Sequence, residues 1–160
     1  EKTAAKEYQY RYLQGTFPVI FLSFAGIEAA EYKDMEYKIT EIIAKLYEQN
    51  NYLLEGNLLS EHEKNYFRKV QPGMDSSVAS GAVNSITGFM QRYFGKNVII
   101  LLDEYDSPMQ AAWLSGYWDK AVSFFNGLFN SAFKTNPYLY RGGDNWNYKS
   151  CEKEYFFRTE

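Results

Sequence analysis

One hundred and sixty residues suffice for one domain with a sizeable core, and 17 basic against 20 acidic residues, net charge −3 with no Lys/Arg block, withhold the electrostatic footprint of a nucleic-acid binder. A lone cysteine, Cys151, excludes an intramolecular disulfide framework and a cysteine-rich zinc site and fits a reducing, cytoplasmic setting. The longest apolar run, Val19 to Ile27, is broken by Ser23 and Gly26 and is too short to span a bilayer, so no membrane partner is expected.

Taken in order, Lys2 to Leu13 is charged and helix-compatible, and Gly15 ends it. Phe17 to Phe24, FPVIFLSF, predicts a first strand; Pro18 lacks an N–H, which places the strand at a sheet edge. From Glu28 the apolar period lengthens to three and four through Tyr32, Met35, Ile39, Ile43 and Leu46, predicting one long amphipathic helix that ends near Gly56. Ser60 with Glu63 forms a capping-box pattern that opens a short helix, stopped by Pro72-Gly73. A helix over Val78, Ala82, Ile86, Met90 and Tyr93 follows the N-cap candidates Asp75, Ser76 and Ser77 and closes at Gly95.

Next comes Asn97 to Pro108, NVIILLDEYDSP. Val98 to Leu102 shows no polar alternation, so burial on both faces is expected, as in the central strand of a parallel sheet. The crossover of about seventy residues from the first strand implies parallel pairing. Ser107 and Pro108 read as an N-cap and first helical residue. After Gly116 a helix runs from Tyr117 to Lys134, with Trp118, Val122, Phe125, Phe129 and Phe133 as a core face; Asn136-Pro137 stops it, and Arg141 to Glu160 is irregular.

A buried aliphatic strand ending in Asp103-Glu104 is the Walker B pattern of P-loop NTPases. The buried aliphatics fix the strand, the first carboxylate holds Mg²⁺ through hard oxygen and water, and the second orients or deprotonates the water that attacks the γ-phosphate. The matching phosphate cradle, GxxxxGK[ST], does not occur in these residues: between Gly88 and Gly95 lie six residues rather than four, and Asn97 follows Lys96.

The segment from Asn97 to Gly142 resembles the Walker B region of AAA-ATPase-like proteins that usually carry a PD-(D/E)xK nuclease-like domain, and TFPVIFLSF resembles the strand before it. The resemblance covers about Lys2 to Gly142. It implies an α/β, partial P-loop NTPase-like three-layer fold with parallel strands at about 17–24 and 97–103. It also implies Asp103 as the Mg²⁺ carboxylate, Glu104 as catalytic base, and Asp106 as a nearby acid of unassigned role. Mg²⁺ and ATP are the cofactors of the intact family. Without the phosphate loop, which precedes Lys2 in the family, binding of neither is expected here. The chain opens on Glu1 rather than methionine, as a fragment would.

Residues 143–160 depart from the family, whose text continues with a strand resembling TGITRV. An out-of-frame reading of that strand accounts for them, Trp146 having a single codon whose shifted reading supplies the glycine; an ordinary variable tail is the alternative. Pairing of the first strand with Val98 to Leu102 leaves the Walker B strand as an apolar edge, so self-association is expected. Three functional readings stand: the Walker B half of an ATPase, a non-catalytic interaction module, and a two-carboxylate hydrolase or nuclease using Glu104 and Asp106. His62 reads as a solvated helix residue and Cys151 as inert.

Overall fold

The computed structural model describes residues 15–140. The expectations for Lys2 to Leu13, for residues 143–160 and for Cys151 lie outside them. The described chain is α/β: strand β1 (Val19–Ser23), helix α1 (Tyr32–Gln49), helix α2 (Glu61–Lys69), helix α3 (Ser76–Phe94), strand β2 (Ile99–Asp103), helix α4 (Ser107–Leu114) and helix α5 (Trp118–Phe129). A 3₁₀ turn (Asn51–Leu54) follows α1 and a π turn (Asn130–Lys134) follows α5. Among the described residues no helix is long and apolar enough to cross a membrane.

β1 and β2 pair in parallel, Val19 beside Ile99 through Ser23 beside Asp103, with α1 to α3 forming the crossover. One further rung exists. Val98 N–H donates to Tyr138 O at 2.9 Å and Tyr140 N–H to Val98 O at 2.8 Å, making a parallel bridge between Val98 and Leu139. Ile99 N–H instead donates to Pro18 O, on the β1 side. Successive residues of a strand bond to opposite sides, so residues 138–140 lie on the edge of β2 that β1 does not use, and the main-chain groups of Ile100 and Leu102 face that same edge.

Alternation also decides the sheet faces. Ile20, Leu22 and Ile100 are buried against the helices, with Phe24 meeting Phe125 and Phe129 of α5 edge-on at 6.0 and 6.5 Å. The opposite face is open: Val19 is 49 %, Phe21 60 % and Leu101 45 % exposed. This corrects the expectation that β2 is buried on both faces. A run of aliphatics reports what a strand could bury, and only one helical layer reaches the sheet here. The described residues therefore make two layers, and the expected third is not among them.

Elsewhere local chemistry explains the elements. Ser60 Oγ accepts from Glu63 N–H while Glu63 Oε2 accepts from Ser60 N–H, the complete capping box, and Arg92 near the end of α3 pairs with Glu63 at 2.6 Å. Gly95 closes α3 in the left-handed region at φ 66°. The helix expected to run to near Gly56 stops at Gln49, and the Asn50 side chain turns back to Leu46 O at 2.8 Å. α4 takes Asp106 rather than Ser107 at its N-cap position. His62 is exposed on α2, as read from the sequence.

One carboxylate enters the core unexpectedly. Glu36 of α1 is buried where it accepts from Tyr32 Oη at 2.9 Å, from Lys33 Nζ at 2.7 Å and from Ser76 Oγ at the start of α3. Burial pushes this carboxyl up, yet the three hydrogen bonds and the Lys33 charge outweigh burial and leave it below its ordinary value. Tyr32, partly buried and bonded to that carboxylate, is pushed up to about 12. The cluster fastens α1 to α3 within the crossover that joins β1 to β2.

Candidate active site

The carboxylates sit where both strands of the parallel sheet end, which is where open α/β sheets bind ligands. Asp103 is the last residue of β2, and its carbonyl accepts from Phe24 N–H at 2.9 Å, so the sheet is hydrogen-bonded up to the tip. Its side chain is exposed and accepts from Ser23 Oγ at 3.2 Å. Ser23 thus touches a candidate site carboxylate, a contact that sequence reasoning passed over, having taken the serine only as an interruption of an apolar run. Its signal was the register, since the serine and the aspartate both close a strand.

Glu104 follows with φ 49°, the only non-glycine residue at positive φ among those described. This conformation costs a residue with a β-carbon on the order of 1–2 kcal/mol. The turn it makes is closed by Ser107 N–H donating to Glu104 O at 3.1 Å, and Ser107 Oγ donates to Glu104 Oε2 at 3.4 Å. Pro108 and Met109 of α4 are buried and pin the far end of the turn to the core.

Asp106 points elsewhere, accepting from Gln110 Nε2 at 3.1 Å. Each of the three acids therefore has its own partner, and among the described residues no group of three His, Cys, Asp or Glu could hold a metal together. Such an arrangement does not suit a cation that needs an all-protein cage. It does fit Mg²⁺, which keeps most of its waters and is commonly held by one or two carboxylates together with substrate phosphates. Two concavities lie away from the tip: one of about 380 Å³ between α1 and α2, lined by Tyr47, Phe67 and Arg68, and a polar one of about 620 Å³ beside Asn97, Asn136 and Tyr140.

The family model described as a predicted AAA-ATPase matches residues 1–142. Comparison with curated proteins and comparison with solved structures each return no match.

Proposed function

The chain belongs to the AAA-ATPase-like family, and from that premise we propose that residues 1–142 are the Walker B half of a nucleotide-hydrolysing site. The family match carries the reading, because it spans an acid-tipped strand whose two carboxylates end a parallel sheet. Asp103 is the carboxylate that holds Mg²⁺, through water or directly. Glu104 is the base that orients the attacking water, placed by a left-handed turn that no other described non-glycine residue adopts. Mg²⁺, when bound, supplies charge neutralisation at the phosphates. Asp106 carries no step of this chemistry. A cytoplasmic setting and an association with a PD-(D/E)xK nuclease-like domain complete the reading.

These 160 residues hold no GxxxxGK[ST] loop, so the grip on the phosphates has to come from outside them. One or two carboxylates do not retain Mg-ATP unaided, since they repel the phosphates and only the cation bridges them. Titration calorimetry of this chain with Mg-ATP is expected to show no saturable heat. Micromolar binding would sink the proposal that the phosphate site lies elsewhere.

The non-catalytic reading draws support from one observation, the open apolar face of Val19, Phe21 and Leu101 beside a β2 edge whose Ile100 and Leu102 groups face away from β1. An edge and face of this kind pair with a second copy of the same chain. Light scattering is expected to give a mass above that of one chain which rises with concentration, whereas a mass constant at one chain would remove self-association from the proposal.

A further inference from the structure

Val19, Phe21 and Ser23 of β1 stand in register with Ile99, Leu101 and Asp103 of β2, and in-register residues of parallel strands project to the same face. That face is apolar until its last pair, where a hydroxyl meets a carboxylate. Ser23 Oγ accepts from Ala25 N–H at 3.4 Å and donates to Asp103 Oδ2 at 3.2 Å. A serine hydroxyl has one proton. With the Ala25 N–H occupying one of its lone pairs, that proton is aimed at the carboxylate.

The consequence falls on the other oxygen. Among the described residues Asp103 Oδ1 has no hydrogen-bond donor, while Oδ2 is committed to Ser23. An exposed aspartate held by nothing would sample its staggered rotamers. From this pair we infer that Ser23 is the positioning residue of the site: it selects one Asp103 rotamer and leaves Oδ1 as the oxygen that faces the cation. This rests on the reading of Asp103 as the Mg²⁺ carboxylate. Outer partners that orient a ligating side chain are commonly worth ten- to a hundredfold in metal affinity, and one long hydrogen bond at an exposed site belongs at the low end.

The test compares Ser23→Thr with Ser23→Val in the 160-residue chain. Both side chains are β-branched and nearly the same shape, both suit a strand, and they differ in the hydroxyl. Three-bond scalar couplings of Asp103 report its χ1, and Mn²⁺-induced line broadening around Asp103 reports the metal. Wild type and Ser23→Thr are expected to show one Asp103 rotamer, and Ser23→Val an average over several. The weak contact of nucleotide-free Mn²⁺ with the carboxylate, which does not amount to retention of Mg-ATP and is read from broadening on titration, is expected to weaken about tenfold in Ser23→Val. A single rotamer and undiminished Mn²⁺ affinity in Ser23→Val overturn the inference. If the rotamer averages in Ser23→Val while Mn²⁺ broadens nothing near Asp103 even in the wild type, Ser23 still positions the carboxylate and the cation assignment falls.

Discussion

Asn136→Ala is expected to lower the unfolding free energy by about 3 kcal/mol. Asn136 is 1 % exposed and its amide makes three hydrogen bonds: Nδ2 donates to Thr87 Oγ1 at 2.8 Å and to Ala132 O at 3.0 Å, and Oδ1 accepts from Tyr138 N–H at 3.0 Å. Truncation strips a partner from three groups at once, two of them on residues that are fully buried, Thr87 at 0 % and Ala132 at 1 %. Thr87 Oγ1 keeps its bond to Asn84 O at 2.6 Å; a buried group left with no partner costs about 1–3 kcal/mol, and the three share one network, so their sum overstates the loss. The damage has a second, local reading. Asn136 holds Tyr138, whose carbonyl receives Val98 N–H, so the Val98 and Tyr140 amides should exchange faster by a larger factor than those of α1. Thr87→Val, which leaves Asn136 two of its three bonds, should cost about 1 kcal/mol. A loss below about 1 kcal/mol for Asn136→Ala by denaturant unfolding would show that the network is solvated and the rung independent of it.

Gly88 adds a steric side to the same junction. A β-carbon there would lie 2.9 Å from the Tyr138 ring, so α3 approaches the start of the 138–140 segment too closely for any residue but glycine unless the ring moves. Pattern reasoning rejects Gly88 as part of a phosphate loop and takes Asn136-Pro137 for a helix stop, which agrees with a π turn ending at Lys134. Both are packing devices, invisible until α3, α5 and residues 138–140 are brought together.

What was legible in the sequence was the local chemistry: the Ser60–Glu63 box, the Gly95 terminus, and the aromatic period of α5 that places Phe125 in the core. The parallel pairing of β1 with β2 was legible too, because a long helical crossover is the connection that parallel strands require. One statement failed and one feature went unread. Burial of both faces of β2 was inferred from side chains alone, when burial depends on a second layer that the strand does not encode. Glu36 was not singled out, because it falls among the polar positions between the apolar ones of an amphipathic helix. Yet Tyr32 and Lys33 lie one turn before it and Ser76 arrives from forty residues away, which is the long-range part no window shows. At the strand tip, the sequence places Asp103 at the end of β2 with Glu104 directly after it, whereas the Ser23 bond and the left-handed Glu104 backbone were not legible.

Glu104→Gly is expected to raise stability by about 0.5–1 kcal/mol. The residue sits at φ 49°, where a β-carbon costs about 1–2 kcal/mol, and glycine removes that cost while losing roughly 0.5–1 kcal/mol to the greater freedom of the unfolded chain. Strain relief wins narrowly, since the only side-chain bond given up is the 3.4 Å contact from Ser107 at an exposed position. Glu104→Asn, which tolerates the left-handed region without glycine's flexibility, should gain a similar amount, and Glu104→Gln, which keeps the strain, should gain nothing. In a longer chain carrying both this site and a phosphate loop, all three variants should lose about 10²–10⁴-fold in kcat, the range for a missing general base. Opposite signs would tie the strained backbone to the side chain it aims, the pattern of strain stored at a functional site. Denaturant midpoints that fall for Glu104→Gly and Glu104→Asn alike would mean the turn is unstrained, and the structural support for Glu104 as the base would be withdrawn.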